Sequence, residues 1–210
     1  IDAEYSLLPM ERVEDILPHC ANLVGFNVTI PHKQAIIPLL AAISDEAAEI
    51  GAVNCVKVTP DGLIGYNTDA EGIRKSLEGI ELQGLKALVL GTGGASKAVQ
   101  YVLRKGGADV KVVSRTQGVA DLTYEDLSEE IIRERLLIVN TTPLGMFPNI
   151  DSAPVLPYSA ISPKHTLFDC VYNPRQTRFL QLGAERGAYT IDGMRMFVAQ
   201  AEASWRIWSE

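Results

Sequence analysis

Lys33 and Asp69 have the residue types and surroundings that suit proton transfer. Lys33 follows Pro31-His32, and proline at a first helical position predicts a helix from Pro31 to about Ala42. A lysine in the first turn faces the positive end of the helix macrodipole, which tends to lower its pKa towards the range useful for proton transfer. A solvated surface position is the commoner fate of a single lysine. Asp69 lies in Thr68-Asp69-Ala70-Glu71, a sequence of capping-box form that predicts a helix to about Leu77. An acid there stabilises the helix start with no further duty, so spacing alone leaves structural and catalytic roles open. Thr29, Asn54 and Asn67 stand at the ends of apolar runs, where a polar side chain can face a cleft or cap a turn. Tyr172 ends a predicted parallel strand, at the edge where ligands bind in open α/β sheets. Gln200 falls in the last predicted helix, on either a cleft face or a solvated one.

A second constellation binds rather than reacts. Ala87 to Leu90 is an uncharged apolar run that leads into Gly91-Thr92-Gly93-Gly94 and then into Ala95 to Leu103, where Ala95, Ala98, Val99 and Val102 recur at helical spacing. Strand, glycine turn and helix together direct backbone N–H groups and a positive helix end at a phosphate. Gly91 suits the tight turn and Gly93 lets a pyrophosphate approach, while Ser96 fits the third small position of the fingerprint less well. The next strand, Val110 to Val113, ends at Ser114-Arg115-Thr116, where an NAD site would place an acid for the ribose 2′-hydroxyl. A guanidinium and two hydroxyls suit a 2′-phosphate instead, so the expected cofactor is NADP.

The elements that must position these groups are legible in outline. Residues 3–8 read as a strand, Met10 to Leu17 as a helix stopped by Pro18, and Leu23 to Ile30 as a strand in a sheet interior. A helix from Ser44 to about Gly51 and a hairpin, Cys55–Val58 with Leu63–Tyr66, follow. After the glycine turn come a charged helix at Glu129–Arg135, a strand at Leu136–Val139, and a loop over 147–165 rich in proline. Then follow a strand at Thr166–Tyr172, a helix at Thr177–Arg186 and a short strand at Ala188–Ile191. In the final helix, Met194, Phe197, Ala201, Trp205 and Trp208 share the face expected to pack. Strands alternating with helices imply an α/β architecture: a Rossmann-type, doubly wound NADP domain beside a smaller α/β substrate lobe, to which the C-terminal helix returns. The expected division is residues 1–68 with 194–210 as the substrate-binding lobe and 69–193 as the dinucleotide-binding domain.

With 210 residues, 47% hydrophobic and 21% charged, the composition is that of a globular protein able to bury a core. A net charge of −7 argues against nucleic acid or an anionic membrane as partner, and no apolar run approaches a membrane span. Cys20, Cys55 and Cys170 form no pair by spacing and suit the reduced thiols of a cytoplasm; the histidines show no metal-ligand pattern.

The segments GFNVTIPHK, GAVN, GYNTDAEG, LGTGGASKAV, SRT, NTTPLGM, DCVYNP and DGMRMFVAQA, in this order, resemble the signature series of the shikimate dehydrogenase family. The likeness runs from about residue 24 to the C-terminus. It implies Lys33 and Asp69 as the catalytic pair and Thr29, Asn54, Tyr172 and Gln200 around the substrate. It places Gly91, Thr92, Gly93, Gly94, Ala95, Ser114, Arg115, Thr116, Cys170 and Gly193 around NADP. The implied activity is reversible reduction of 3-dehydroshikimate to shikimate, a step of aromatic amino-acid biosynthesis, by a monomer or homodimer.

The chain departs from the family pattern in two places. Ser114 and Val119 stand where the family usually has Asn and a second basic residue, which leaves Arg115 as the one cation for the 2′-phosphate. No S-x-S-x-x-x-H-N motif appears in residues 1–23, so the full protein is expected to carry a further N-terminal βα unit with the carboxylate-binding serines. The alternatives are a quinate/shikimate dehydrogenase, a relative such as a methylenetetrahydrofolate dehydrogenase, against which SRT and VYNP speak, and a non-catalytic NADP-binding module.

Overall fold

The computed structural model describes residues 3–210, and its strands fall into two sheets. The first is built early in the chain from β1 (Gly25–Asn27), β2 (Ala42–Ile43), β3 (Cys55–Thr59) and β4 (Gly62–Tyr66), in the order β1-β3-β4-β2. The β3–β4 hairpin is the predicted one, closed from Thr59 to Gly62, where Gly62 takes φ 120°. Helix α1 (Asp45–Ile50) starts where the Ser44 hydroxyl accepts the Ala47 N–H and stops at Gly51, φ 69°.

The strand expected over Leu23–Ile30 shrinks to three residues, and among the described residues it pairs with β3 alone. The apolar run buries one side only. Leu23, Phe26 and Val28 pack with Val13, Ile16, Ile36 and Val56, whereas Val24 and Ile30 are exposed. Residues 3–10 form no strand; they pass beside β1, where the Tyr5 hydroxyl donates to Asn27 Oδ1 at 3.0 Å. The helix expected at Met10–Leu17 lies at Val13–Asn22 as a 3₁₀ helix that contains Pro18.

The predicted helix at Pro31–Ala42 is also absent. Residues 30–36 are turns, followed by one 3₁₀ turn at Ile37–Leu39. Pro38 has no N–H to give to Gln34, and the Lys33 carbonyl accepts from Val53 N at 2.7 Å, so an α-helical ladder cannot propagate.

Helix α2 (Asp69–Ser76) leads into the second sheet. There β5 (Lys86–Leu90), α3 (Gly94–Lys105), β6 (Asp109–Ser114), β7 (Leu122–Thr123), α4 (Glu129–Glu134), β8 (Leu137–Asn140), β9 (Thr166–Asp169), α5 (Arg178–Ala184) and β10 (Tyr189–Ile191) alternate. All pairings are parallel and the strand order is β10-β9-β8-β5-β6-β7. The central strands β5 and β8 are buried on both faces, which explains their uninterrupted apolar runs. One face is filled by Val89, Val99, Leu103, Val139 and Phe168, and this cluster continues through Ala70 and Ile73 to Ile50 and Ala52 of the first sheet's region.

The last helix, α6 (Met194–Ser209), buries a different face from the expected one. Met196, Ala199, Ala203 and Ser204 are buried, while Phe197 and Trp205 are exposed. The helix packs closely on α2: a Cβ added to Gly72 would lie 2.6 Å from the Met196 carbonyl oxygen, and beyond Met196 the buried side chains are the small ones of Ala199, Ala203 and Ser204. Among the bulky residues, Trp208 instead reaches the first sheet, where its Nε1–H donates to the Val56 carbonyl at 2.9 Å.

Candidate active site

Asp69 opens α2 and is almost fully buried, yet it does not serve as a cap. The capping box predicted for Thr68–Glu71 is not made; Asn67 Oδ1 accepts the Ala70 N–H at 3.2 Å instead, and Asn67 Nδ2 donates to the Ala52 carbonyl. Asn67 is thereby spent on structure, which releases the Asp69 carboxylate. Its Oδ2 lies 2.6 Å from Lys33 Nζ, and its Oδ1 accepts from Asn54 Nδ2 at 3.0 Å. The side chains of the pair are 15% and 5% exposed. The helix dipole invoked for Lys33 has no helix to act through; the side chain is placed by this carboxylate and by the clasp of its own carbonyl on Val53.

Asn54 is the hinge of the cluster. Its Oδ1 accepts the Thr68 N–H at 2.6 Å, while its Nδ2 also lies 2.9 Å from Thr68 Oγ1 and 3.4 Å from Gln200 Oε1. Behind it, the buried Ser204 hydroxyl contacts Thr68 Oγ1 at 3.1 Å, accepts from Asn27 Nδ2 at 3.0 Å and donates to the Gln200 carbonyl. β1, β3, α2 and α6 thus converge on one carboxylate. Thr29 is exposed at the end of the β1 segment. Ser204 and Asn27 were not legible as part of this cluster: a serine inside a helix carries no signal, and Asn27, although within GFNVTIPHK, falls inside the expected strand.

Because the second sheet is parallel, the C-terminal ends of β5, β6, β8 and β9 open on one edge. Gly91 at the end of β5 takes φ 107°, and a Cβ there would sit 2.8 Å from Thr141 Oγ1. At Gly93 an added Cβ would meet no atom within 4 Å, so the backbone is open to approach. At Gly94 it would lie 2.8 Å from Lys33 Cβ, so the glycine turn bears directly on the Lys33 side chain. Ser96 proves compatible with the turn: it is fully buried and its hydroxyl holds the Gly91 carbonyl at 2.6 Å. Ser114 is buried at the end of β6 and bonds the Thr116 N–H, while Arg115 and Thr116 are exposed.

β9 ends at Asp169, so Tyr172 lies three residues beyond the strand rather than on it. It remains on the same edge, stacked on Phe197 with ring centroids 4.2 Å apart. Cys170 is placed between the two halves of the site. Burial is the main cause that raises its thiol pKa, and the charges of Asp169 and Asp69 add to it while Lys33 opposes. Gly193 caps α6 against this segment, where a Cβ would lie 2.5 Å from the Cys170 carbonyl. Beneath them Asp169 accepts from Asn140 Nδ2, the Val171 N–H and the Thr177 hydroxyl, at 3.0, 3.0 and 2.5 Å, tying the 140–145 loop to the start of α5. No group of metal-ligating side chains occurs among the described residues, and no helix there is long and apolar enough to cross a membrane.

A family model for the shikimate dehydrogenase substrate binding domain matches residues 1–56. A shikimate dehydrogenase (NADP(+)) of Carboxydothermus hydrogenoformans is 35% identical over 231 residues, spanning 100% of this chain and 82% of the relative. One from Clostridium beijerinckii is 39% identical over 228 residues, with the same coverage of both. Among solved structures, shikimate 5-dehydrogenase from Thermus thermophilus, in complex with NADP(H) and shikimate, superposes with a TM-score of 0.83 at 34% identity, covering 96% of this chain and 79% of that one.

Proposed function

The chain belongs to the shikimate dehydrogenase family, and we propose that its Lys33–Asp69 pair carries the proton in an NADP-dependent, reversible reduction of 3-dehydroshikimate to shikimate. The observation that carries this reading is the 2.6 Å contact of the pair, buried between the first sheet and the glycine turn. NADPH, when bound, supplies the hydride. The chain's own residues then have to meet an oxygen that becomes an alkoxide. The Lys33 ammonium gives it a proton in reduction and takes one back in oxidation, and its charge stabilises the oxyanion in between. Asp69 keeps that ammonium aimed, and Asn54 fixes the plane of the carboxylate through Oδ1. Thr29, Asn54, Tyr172 and Gln200 surround the substrate in this reading, with residues up to 68 and 194–210 forming its lobe and 69–193 the cofactor domain.

The residues fit the dinucleotide. The open backbone at Gly93 and the N-terminus of α3 suit a pyrophosphate held by Gly91, Thr92, Gly93, Gly94 and Ala95. In this reading Ser114, Arg115 and Thr116 meet the ribose 2′-phosphate, and Cys170 and Gly193 complete the surroundings of the dinucleotide. Reduction of NADP⁺ with shikimate and with quinate, followed side by side in absorbance, tests the reading. Turnover with shikimate is expected. NADPH binding without turnover of either substrate would contradict it, and turnover favouring quinate would mark the quinate/shikimate alternative.

A further inference from the structure

Two buried side-chain polar atoms lack a hydrogen-bond partner among the described residues: Ser76 Oγ and the Tyr124 hydroxyl. The Tyr124 side chain is only partly buried, but its hydroxyl is covered, and a covered phenol oxygen without a partner is uncommon enough to need a cause. Ser76 lies within α2. Tyr124 follows β7. β7 runs parallel to β6 with Ser114 opposite Thr123, so Tyr124 and Arg115 each follow directly on the last paired residue of adjacent strands. Only residues 115–121 connect the two strands, where a parallel crossover ordinarily takes a dozen or more residues and a helix. No helix therefore stands between the guanidinium and the phenol.

We propose that the Tyr124 hydroxyl is a specificity-determining donor for the ribose 2′-phosphate of NADP, acting beside Arg115. It rests on the cofactor reading above and supplies what the chain otherwise lacks, since Val119 gives the subsite no second cation. The chemistry is suitable. Burial holds the phenol's pKa above its ordinary value, with the Arg115 charge pulling the other way, so at neutral pH it is an O–H donor. A phenol donating to a phosphate oxygen makes a charge-assisted hydrogen bond, whereas a ribose 2′-hydroxyl offers only a neutral one. The ring is anchored on the cluster containing Leu90, Val113 and Leu127, which gives the hydroxyl a defined position.

The test compares Tyr124→Phe and Arg115→Ala in the intact protein, measuring KM for NADPH and NADH and binding of adenosine 2′,5′-bisphosphate against AMP. Tyr124→Phe is expected to raise KM for NADPH and weaken the bisphosphate about tenfold, while NADH and AMP change by less than about twofold. Tyr124→Phe that binds every probe as the parent does, with a higher melting temperature, would show a spare buried hydroxyl and overturn the proposal. If Arg115→Ala alone loses the preference for NADPH, the Tyr124 assignment falls and the 2′-phosphate subsite stands. If neither variant loses it, the subsite itself has been misplaced and both fall.

Discussion

Among the described residues two aspartates are buried, one at the start of α2 and one at the end of β9, and they are held in opposite ways. Asp69 has a counter-ion at 2.6 Å and an amide on its other oxygen. Asp169 accepts three hydrogen bonds from neutral groups and has no cation against it, and burial pushes its pKa up to about 7 despite those donors. A buried charge with a mobile cation beside it can exchange that cation's proton with a ligand. One surrounded by fixed neutral donors can only hold loops in place. In the proposed reading, the difference separates the reacting half of the site from the half that shapes it.

The largest effect should come from the cation. Lys33→Ala is expected to lower kcat by roughly two orders of magnitude or more, with NADPH binding little changed, as for loss of a positioned proton carrier. Steady-state kinetics with a parallel fluorescence titration of NADPH would check both parts. Asp69→Asn should cost somewhat less turnover, because the lysine remains while its orientation is lost. Its melting temperature should stay close to the parent's, since Asn67 rather than Asp69 accepts the first-turn N–H of α2.

Asp169→Asn belongs to the other half, and its signature is in stability rather than turnover. The unfolded carboxyl ionises near its ordinary pKa of 3.8, the folded one only near 7. Between those values the unfolded state therefore releases its proton first, and folding stability falls as pH rises; above about 7 both forms are ionised and the slope ends. The asparagine removes that slope. Urea unfolding at about pH 5 and about pH 7.5 should show the parent losing up to a few kcal/mol across the interval and the variant losing less. The smallest change is expected for Ser204→Ala, which leaves the Asn27 amide and the Thr68 hydroxyl one partner short. About 1–2 kcal/mol of stability should go, with kcat reduced several-fold and restored by Ser204→Thr.

The same contrast explains what the sequence could reveal. The glycine-turn unit was legible because its elements are local: an apolar strand, a glycine turn and a helix follow one another without a break, and each uses its own hydrogen bonds. The substrate half depends on contacts between distant segments. Lys33 was recognisable, but the helix expected around it gave way to Pro38 and to the bond from Val53. Asp69 was found at a helix start for a reason that fails, since the capping-box partners Thr68 and Glu71 are engaged elsewhere, with Ser204 and Arg206. In α6 the helical period was right and the buried face wrong. Periodicity marks bulky apolar residues, whereas beyond Met196 the buried face carries the small side chains of Ala199, Ala203 and Ser204.

The central claim is that Lys33 and Asp69 act as one unit, and a double-mutant cycle on kcat tests it most directly. The Lys33→Ala/Asp69→Asn protein should turn over about as slowly as Lys33→Ala alone, because a carboxylate that serves only to aim an ammonium has nothing left to aim. Losses that multiply, with the double variant slower than Lys33→Ala by the full factor that Asp69→Asn costs by itself, would contradict the account.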